Sequence, residues 1–368
     1  MAEQHGKTLV PQIRFAGFTD PWEQRKLSDL TDRVSIQSSD SDLPQVEYED
    51  IIPGEGTLNK DLRDKKGGKT GIKFYAGDVL YGKLRPYLMN WLYPQFNGVA
   101  VGDFWVLRAT ECDSSFLYRL VQTGSFQRLA NVSSGSKMPR ADWNLISQSF
   151  FAVPADHAEQ KAIAKGLAEL DTLITLHQRK YDKLCVLKKS MLDKMFPKGG
   201  SLYPEIRFAG FTDPWEQRKL GELTEIKDSA RIPNRLWREA GVPYIRASDI
   251  SQEDLRGALF IDEEDYAAYK AATGAPEKGD VLFNGGGEIG KAIINGNSSP
   301  IYVQGGAVLY ARIAHSSLLD ARYLVAAFVT QNVVNAIGVL SAGGTMKHFT
   351  LQPAKNLPIE VPSIAEQR

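Results

Sequence analysis

The sequence is poor in the features that mark several classes of protein. It has two cysteines in 368 residues, Cys112 and Cys185, which is typical of reduced thiols rather than of a disulfide framework. Its five histidines are scattered, and no Cys/His cluster has metal-ligand spacing. No apolar run approaches the roughly 20 residues that a membrane-spanning helix needs. The first residues also lack the apolar core of a secretory signal, so we expect a cytoplasmic protein without a membrane or metal site.

An excess of charge of one sign is also missing, since 44 basic residues balance 44 acidic ones. A basic excess usually accompanies nucleic-acid binding, so the total charge lends that function no support, although a local patch can be offset elsewhere. Catalytic signatures are equally scarce, because there is no Walker loop and no serine in a nucleophile-elbow context. The length and the 43% of hydrophobic residues describe two globular domains of ordinary size.

The most informative feature is an internal repeat. PQIRFAGFTDPWEQRKL at Pro11–Leu27 returns as PEIRFAGFTDPWEQRKL at Pro204–Leu220, with sixteen of seventeen positions identical and an offset of 193 residues. This period is far longer than that of a solenoid or propeller, which indicates that a whole domain has been duplicated. Weaker counterparts follow in the two copies: residues 76–80 match 278–282, Ser133–Pro154 matches Ser341–Pro362, and residues 159–161 match 366–368.

A long helix is predicted from about Ala158 to Phe196, a stretch without proline that Pro197 ends. Its residues at alternating spacings of three and four form a stripe typical of a coiled coil, which Lys188 interrupts. The stripe consists of Leu167, Leu170, Ile174, His177, Tyr181, Leu184, Met191 and Met195. The helix could lie on the core of its own domain, but the narrow stripe with charged flanks favours packing against another long helix.

Short strands dominate the rest of each copy, because Val, Ile, Phe and Tyr alternate with Gly and Asn breaks. Helical stretches are predicted at Ser115–Leu129 and Leu319–Ile337. The predicted fold is therefore α+β, with two tandem domains joined by a long coiled-coil-like helix. The predicted boundaries are an N-terminal tail at 1–10, a first domain at 11–155, the helix at 156–197, a linker at 198–203, a second domain at 204–362 and the start of a second helix at 363–368.

Two motifs have a catalytic or cofactor-binding form. Gly285–Gly290 satisfies GxGxxG, but a dinucleotide site also needs a helix at the last glycine and an acidic residue about 20 positions on. The glycines lead instead into KAIINGN, which is typical of a strand, so a hairpin loop is favoured. Glu159 and Lys161 form a Glu-x-Lys pair, but Glu159 lies at a helix start, where an acid favours the helix dipole.

Basic residues gather locally in both copies. Residues 60–90 hold eight basic side chains against three acidic ones, and residues 231–246 hold four against one. Such runs are usually solvated surface, but lysine and arginine on loops can also neutralise phosphates, and arginine can bind guanine edges. If the chain binds DNA, the expected contacts are Lys65, Lys66, Lys69, Arg85, Lys137 and Arg140 in the first half, and Arg231, Arg235, Arg246, Lys291 and Lys347 in the second.

The repeated opening and the helix resemble the specificity subunits of type I restriction-modification systems. The matching residues are the opening at Pro11–Leu27, Glu159–Lys161, Leu170–Lys180 and Lys188–Phe196. The resemblance implies two target-recognition domains that each read one part of a split double-stranded DNA sequence. It also implies two long helices that pair as a spacer and dock methyltransferase subunits. The subunit would be non-catalytic and without a cofactor, because S-adenosylmethionine binds the methyltransferase and a separate motor subunit cuts DNA.

One departure from that pattern concerns the second spacer helix, whose expected start at 363–368 does not continue in this sequence. We expect the helix at 156–197 either to pair in trans with a helix of another chain or to leave its apolar stripe exposed. A duplicated protein-interaction scaffold without DNA binding is the alternative function. DNA binding with a steep salt dependence would separate the two, because phosphate contacts release counterions.

Overall fold

A computed structural model describes residues 9–62, 67–132, 138–341 and 347–368. The chain divides into two compact units, unit 1 at Met1–Arg179 and unit 2 at Lys180–Arg368. Both units mix helices with short strands, which confirms the predicted α+β class. The predicted contacts Lys65, Lys66 and Lys137 lie outside the described residues.

Unit 1 is built largely from short strands. Its strands are β1 Glu23–Lys26, β2 Thr31–Val34, β3 Gln37–Ser38, β4 Gln45–Val46, β5 Ile51–Ile52, β6 Thr57–Leu58, β7 Gly71–Phe74, β8 Val79–Gly82, β9 Trp91–Leu92, β10 Gly98–Ala100, β11 Phe104–Ala109 and β12 Phe150–Val153. Its helices are α1 Leu27–Leu30, α2 Ser114–Gln122, α3 Gly124–Ala130 and α4 Trp143–Gln148, and α5 His157–Met195 begins in this unit.

Two four-stranded sheets form the body of unit 1, in the orders β2-β11-β8-β9 and β3-β7-β10-β4. Leu80, Val106 and Phe74 are fully buried and belong to one apolar cluster that both sheets supply. A separate antiparallel pair, β1 with β12, places Glu23 opposite Val153. The chain therefore enters and leaves the body through neighbouring strands.

Unit 2 repeats this plan with fewer strands. Its strands are β13 Glu216–Lys219, β14 Ile226–Asp228, β15 Val242–Ile245, β16 Phe260–Ile261, β17 Val281–Asn284, β18 Ala292–Ile294, β19 Tyr302–Val303, β20 Val308–Ala311 and β21 Pro358–Val361. Its helices are α6 Leu220–Leu223, α7 Ala247–Ser251, α8 Glu263–Thr273, α9 Ala321–Phe328, α10 Gln331–Leu340, α11 Leu351–Lys355 and α12 Ile364–Gln367.

The sheets of unit 2 have the orders β14-β20-β17-β18 and β16-β15-β19, and β13 pairs with β21 as β1 pairs with β12. β17 and β18 are antiparallel neighbours, with Phe283 opposite Ala292. The glycine run Gly285–Gly290 connects them, so it is the hairpin loop that the sequence favours and not the turn of a dinucleotide-binding βαβ unit.

The long helix α5 spans His157–Met195, within one residue of the predicted bounds at each end. Its 39 residues correspond to about 58 Å of helix. Coiled-coil pairing of this helix stays a prediction.

The two shorter helical predictions were wrong in one respect, because each stretch contains two helices. Thr123 interrupts the first stretch with an extended backbone, and its hydroxyl accepts a hydrogen bond from the Phe126 N–H at 3.3 Å. Thr330 takes the corresponding extended conformation before α10. A threonine at the N-cap begins a new helix, and hydrophobic periodicity alone does not reveal that break.

Candidate nucleic-acid interface

The first turn of α5 is held by a buried carboxylate. Glu159 is 1% exposed, and it accepts hydrogen bonds from Arg14 Nε at 2.6 Å, Arg14 Nη2 at 2.7 Å and Trp22 Nε1 at 3.2 Å. The hydrogen bond from Arg14 lowers the pKa of Glu159 and raises that of the guanidinium. Arg14 and Trp22 belong to the repeated opening, so one role of that motif is to fix the start of this helix.

Unit 2 repeats this arrangement, which we call the carboxylate clamp in both units. Glu366 accepts hydrogen bonds from Arg207 Nε at 2.7 Å, Arg207 Nη2 at 2.8 Å and Trp215 Nε1 at 3.2 Å. The helix-dipole interpretation of Glu159 is thus incomplete, because its main partners are an arginine and a tryptophan distant in sequence. The exact recurrence of both partners in the repeat was the available signal.

The following glutamine is also equivalent in the two units. Gln160 Oε1 accepts from the Asp113 N–H at 2.7 Å, and Gln367 Oε1 accepts from the Asp320 N–H at 2.9 Å. Asp113 and Asp320 are the N-caps of α2 and α9. Each Glu-Gln pair therefore ties the helix start both to the repeated opening and to a helix of its own body.

Arg85 and Arg140 are the predicted unit 1 contacts that the structure brings together. The Arg85 N–H donates to the Pro139 carbonyl at 2.7 Å, and Arg140 forms a β-bridge with Leu84. Arg140 also pairs with Asp103 at 2.9 Å, while the Arg85 side chain is exposed and has no ion pair among the described residues. Arg85 lies on the connection between β8 and β9, and Arg140 lies on the segment before α4 that pairs with this connection.

Lys69 lies elsewhere in unit 1, just before β7, and its ammonium pairs with Glu47 at 2.5 Å. The backbone around it is fixed by Gln45, whose amide donates to the Lys69 carbonyl at 2.7 Å. No contact among the described residues joins Lys69 to Arg85 or Arg140. Its positive charge is partly neutralised, which reduces its value as a phosphate ligand.

The predicted contacts of unit 2 fall into two groups. Arg231, Arg235 and Lys347 are exposed and form no ion pair within the described part of the chain. Arg246 instead forms an ion pair with the Asp249 carboxylate at 3.0 Å, and Lys291 forms one with Glu253 at 2.7 Å. The first group is therefore better suited to meet phosphates, whereas the second supports the loops beside α7.

The apolar stripe of α5 differs along its length. Leu170, Ile174 and Tyr181 are more than half exposed, and so is Leu184, while Leu167 and His177 are also exposed. Met191 and Met195 are partly buried near Phe196 and Trp215 in unit 2. The sequence prediction omitted further exposed leucines, which widen the apolar arc of the helix. They are Leu173, Leu176 and Leu187.

The described residues contain neither a cluster of metal ligands nor a single helix that could cross a membrane. No group of three or more His, Cys, Asp or Glu side chains there could hold a metal ion. No single described helix has the length and hydropathy to cross a membrane. The bent pair Ala321–Phe328 and Gln331–Leu340, with 72° between its helices, meets those two criteria jointly. Several residues of this pair, including Leu324, Phe328 and Val333, are buried in the core of unit 2.

Comparison with known proteins identifies the class. Residues 212–368 match the family model of the type I restriction modification DNA specificity domain. The chain is 22% identical over 272 residues to the type I restriction enzyme MjaVIII specificity subunit of Methanocaldococcus jannaschii, covering 70% of this chain and 61% of the relative. It is 27% identical over 135 residues to the EcoDI specificity subunit of Escherichia coli, covering 35% and 30%. The chain thus spans less than two thirds of the length of these relatives.

Solved structures share the fold. One is the S subunit of the type I restriction-modification system from M. genitalium, with a TM-score of 0.55, 13% identity and coverage of 98% of this chain and 90% of that one. Another comes from a study of complex assembly and conformational transition in a type I system, with a TM-score of 0.53, 18% identity and coverage of 97% and 89%. Residues 212–368 thus match the specificity domain of type I restriction-modification systems, and the chain is similar over much of its length to specificity subunits of those systems.

Proposed function

We propose that this chain is a non-catalytic DNA-recognition subunit, in which units 1 and 2 each read one part of a split duplex sequence. The main support for this proposal is that the two units share equivalent carboxylate clamps, centred on Glu159 and Glu366, whereas their exposed loops differ. A shared framework with different loops suits two related readers of different sequences, because binding residues concentrate on loops that a rigid scaffold positions.

The exposed cations of both units support a phosphate-binding role. Arg85 in unit 1 and Arg231, Arg235 and Lys347 in unit 2 have no ion pair among the described residues, so their charge is available to a duplex. Lysine and arginine at such positions place a protein on DNA, whereas base-edge contacts provide the specificity. The zero net charge of the whole chain does not oppose this, since the cations act locally.

The exposed arc of α5 supports docking of other subunits. Leu170, Ile174 and Tyr181 are apolar side chains on a helix surface that water covers in the isolated chain. In the proposed complex, this helix packs against another long helix, either in cis or from a second specificity chain, and against methyltransferase subunits. The methyltransferase would bind S-adenosylmethionine, and a separate motor subunit would cut DNA, so this chain would need no cofactor of its own.

Methylation mapping tests the DNA function. The chain is expressed with its neighbouring methyltransferase in cells that lack other DNA methylation, and modified sites are sequenced. The expected result is one motif with two defined parts and a fixed gap. Methylation without a sequence motif would contradict the proposal. Duplex binding by the purified complex should also weaken as the salt concentration rises, and binding that does not depend on salt would contradict the proposal too.

A pair of helix variants tests docking. Leu170→Glu places a charge in the exposed arc, and Val186→Glu places one about 160° away around the helix. We expect the first to reduce methyltransferase association at least tenfold in light scattering and the second to leave it unchanged. Equal effects of the two charges would contradict a docking role for the arc.

A further inference from the structure

The connection between β8 and β9 in unit 1 and that between β17 and β18 in unit 2 are fixed by the same three backbone hydrogen bonds. In unit 1 they join Gly82 N to Asn90 O at 2.7 Å, Lys83 N to Asp103 O at 2.9 Å and Ala141 N to Lys83 O at 2.9 Å. These bonds hold the base of the connection and leave residues 84–89 to form its outer part.

In unit 2 the corresponding bonds join Asn284 N to Lys291 O at 2.9 Å, Gly285 N to Ala307 O at 2.8 Å and Phe349 N to Gly285 O at 2.8 Å. Lys83 and Gly285 therefore occupy equivalent positions. Counting from them, Arg85 corresponds to Gly287. The two connections can be compared residue by residue on a common base.

Arg85 and Gly287 share a left-handed backbone conformation, with φ of +50° and +68°. Glycine adopts this conformation without steric penalty, whereas an arginine there is strained by about 1–2 kcal/mol. Met89 in the same connection is also left-handed, with φ of +56°. Strain of this kind persists where the surrounding structure fixes it, and it concentrates at functional positions.

The unit 1 connection also exposes apolar side chains that the unit 2 connection lacks. Between the two strained residues, Pro86 is buried while Tyr87 and Leu88 are exposed, and Met89 is exposed as well. Hydrogen bonds from Leu88 N to Arg85 O and from Met89 N to Pro86 O, both at 2.9 Å, keep this turn rigid. Exposed apolar groups on a rigid loop indicate a contact surface.

Cations surround this turn and specify the chemistry of its partner. Lys83 and Arg140 share one carboxylate, Asp103, at 3.5 Å and 2.9 Å. Arg85 is unpaired among the described residues, and exposed Arg128 lies on α3, the helix beside the turn. Lys83, Arg85 and Arg140 therefore carry three positive charges at this turn, and Asp103 is the one carboxylate that pairs with any of them, which favours a polyanion as the partner.

We propose that residues 85–88 of unit 1, the recognition turn, enter a groove of duplex DNA and determine part of the sequence that unit 1 reads. Tyr87 and Leu88 pack on base-pair edges, chiefly on thymine methyl groups, while Arg85 donates hydrogen bonds to an adjacent base edge. Apolar contact is how proteins distinguish the thymine methyl from other major-groove groups. This inference rests on the proposed function and names the residues that give unit 1 its specificity.

The test uses the full chain in complex with its methyltransferase and a random-sequence duplex library. The bound fraction is sequenced for the wild type and for the double variant Tyr87→Ala/Leu88→Ala. We expect the wild type to select a two-part motif and the variant to lose sequence preference in one part only. The retained part shows that the variant is folded, and the unchanged salt dependence shows that phosphate contacts remain.

Leu202→Ala/Tyr203→Ala is the matched control, because Leu202 and Tyr203 are 40% and 55% exposed, against 39% for Leu88 and 54% for Tyr87. This control should select the wild-type motif. A second measurement replaces each thymine of the affected part with uracil, which removes one methyl group. We expect about fivefold weaker binding by the wild type at one or more positions, and no change for the Tyr87/Leu88 variant.

The outcomes are distinguishable. If the wild type selects a two-part motif and the Tyr87/Leu88 variant selects the same motif with equal affinity, the recognition turn is overturned and the proposed function stands. The recognition turn is equally overturned if uracil has no effect or if the control variant behaves like the test variant. If the wild type selects no motif, the proposed function fails and the recognition turn fails with it.

Discussion

Glu159 and Glu366 accept hydrogen bonds from the same set of donors, one arginine and one tryptophan, in the two units. Their side chains are 2% and 6% exposed, so both carboxylates are removed from water and depend on these donors. Two of the repeated positions are thus explained in structural terms, because the arginine and the tryptophan hold the carboxylate at each helix start.

Removing the charge of Glu159 should destabilise unit 1. Glu159→Gln leaves the largely buried Arg14 without its anion, and we expect a loss of about 3 kcal/mol in the free energy of unfolding. Urea denaturation followed by circular dichroism measures it. The control is Glu169→Gln, whose partner Lys165 is exposed and 3.9 Å away, and which should change stability by less than about 0.5 kcal/mol. Equal losses would show that the clamp contributes no more than a surface ion pair.

The contribution of Glu159 should depend on pH with a definite sign. Its folded-state pKa lies below the usual 4.5, chiefly because of the hydrogen bond from Arg14, so the folded protein favours the ionised form. The resulting stability is present above pH 4.5 and is lost as the pH falls through the folded-state pKa. The difference in unfolding free energy between wild type and Glu159→Gln should therefore shrink as the pH is lowered from 6 to 3. A constant difference would contradict the assignment.

The shared left-handed position predicts opposite effects in the two units. Arg85→Gly relieves strain and should leave the unfolding free energy unchanged or raise it by up to about 1 kcal/mol. Gly287→Ala should lower it by about 1 kcal/mol, because nothing lies within 4 Å of the added methyl group and only the backbone conformation opposes it. Thermal unfolding monitored by calorimetry measures both changes. A clear destabilisation by Arg85→Gly would show that the arginine supports the fold.

Two further glycines of unit 2 should differ sharply. A methyl group at Gly305 would lie 1.8 Å from the Ser229 carbonyl oxygen, so Gly305→Ala requires backbone movement and should cost more than about 3 kcal/mol or prevent folding. Gly338→Ala lies in α10 with no atom within 4 Å, and it should stabilise by about 0.5–1 kcal/mol. Soluble yield and melting temperature provide the measurement. Similar values for the two variants would contradict the close approach at Gly305.

The parts of the fold that could be predicted were those with local signals. The bounds of α5 followed from hydrophobic periodicity and Pro197, and the hairpin at Gly285–Gly290 followed from the strand-like residues around it. The breaks at Thr123 and Thr330 could not be predicted in the same way, because the apolar residues continue on both sides of each threonine. The Thr123 side chain caps the helix that follows it, whereas Thr330 makes no side-chain cap hydrogen bond and breaks its stretch through an extended backbone. Hydrophobic periodicity reports neither feature.

The candidate site was less predictable because charge patterns do not show pairing. Lys291 and Glu253 are far apart in sequence, so their ion pair could not be expected from a local count of charges. Arg85 was selected as a basic residue, but its neighbours Tyr87 and Leu88 were not, since exposed apolar residues look in sequence like part of the core. Their exposure depends on a turn with two left-handed residues, Arg85 and Met89. Neither is a glycine, so the sequence does not indicate that turn.

The antiparallel pairing of β1 with β12 places Lys26 opposite Phe150, and that of β13 with β21 places Lys219 opposite Pro358. In each unit, the chain between the paired strands therefore starts and ends at the same strand pair. Exchanging residues 27–149 for those of a relative would join the new body through one strand pair and through the Gln160 contact with the N-cap of α2. Diversification of such chains can proceed by replacement of whole modules, with the clamped helix start left intact.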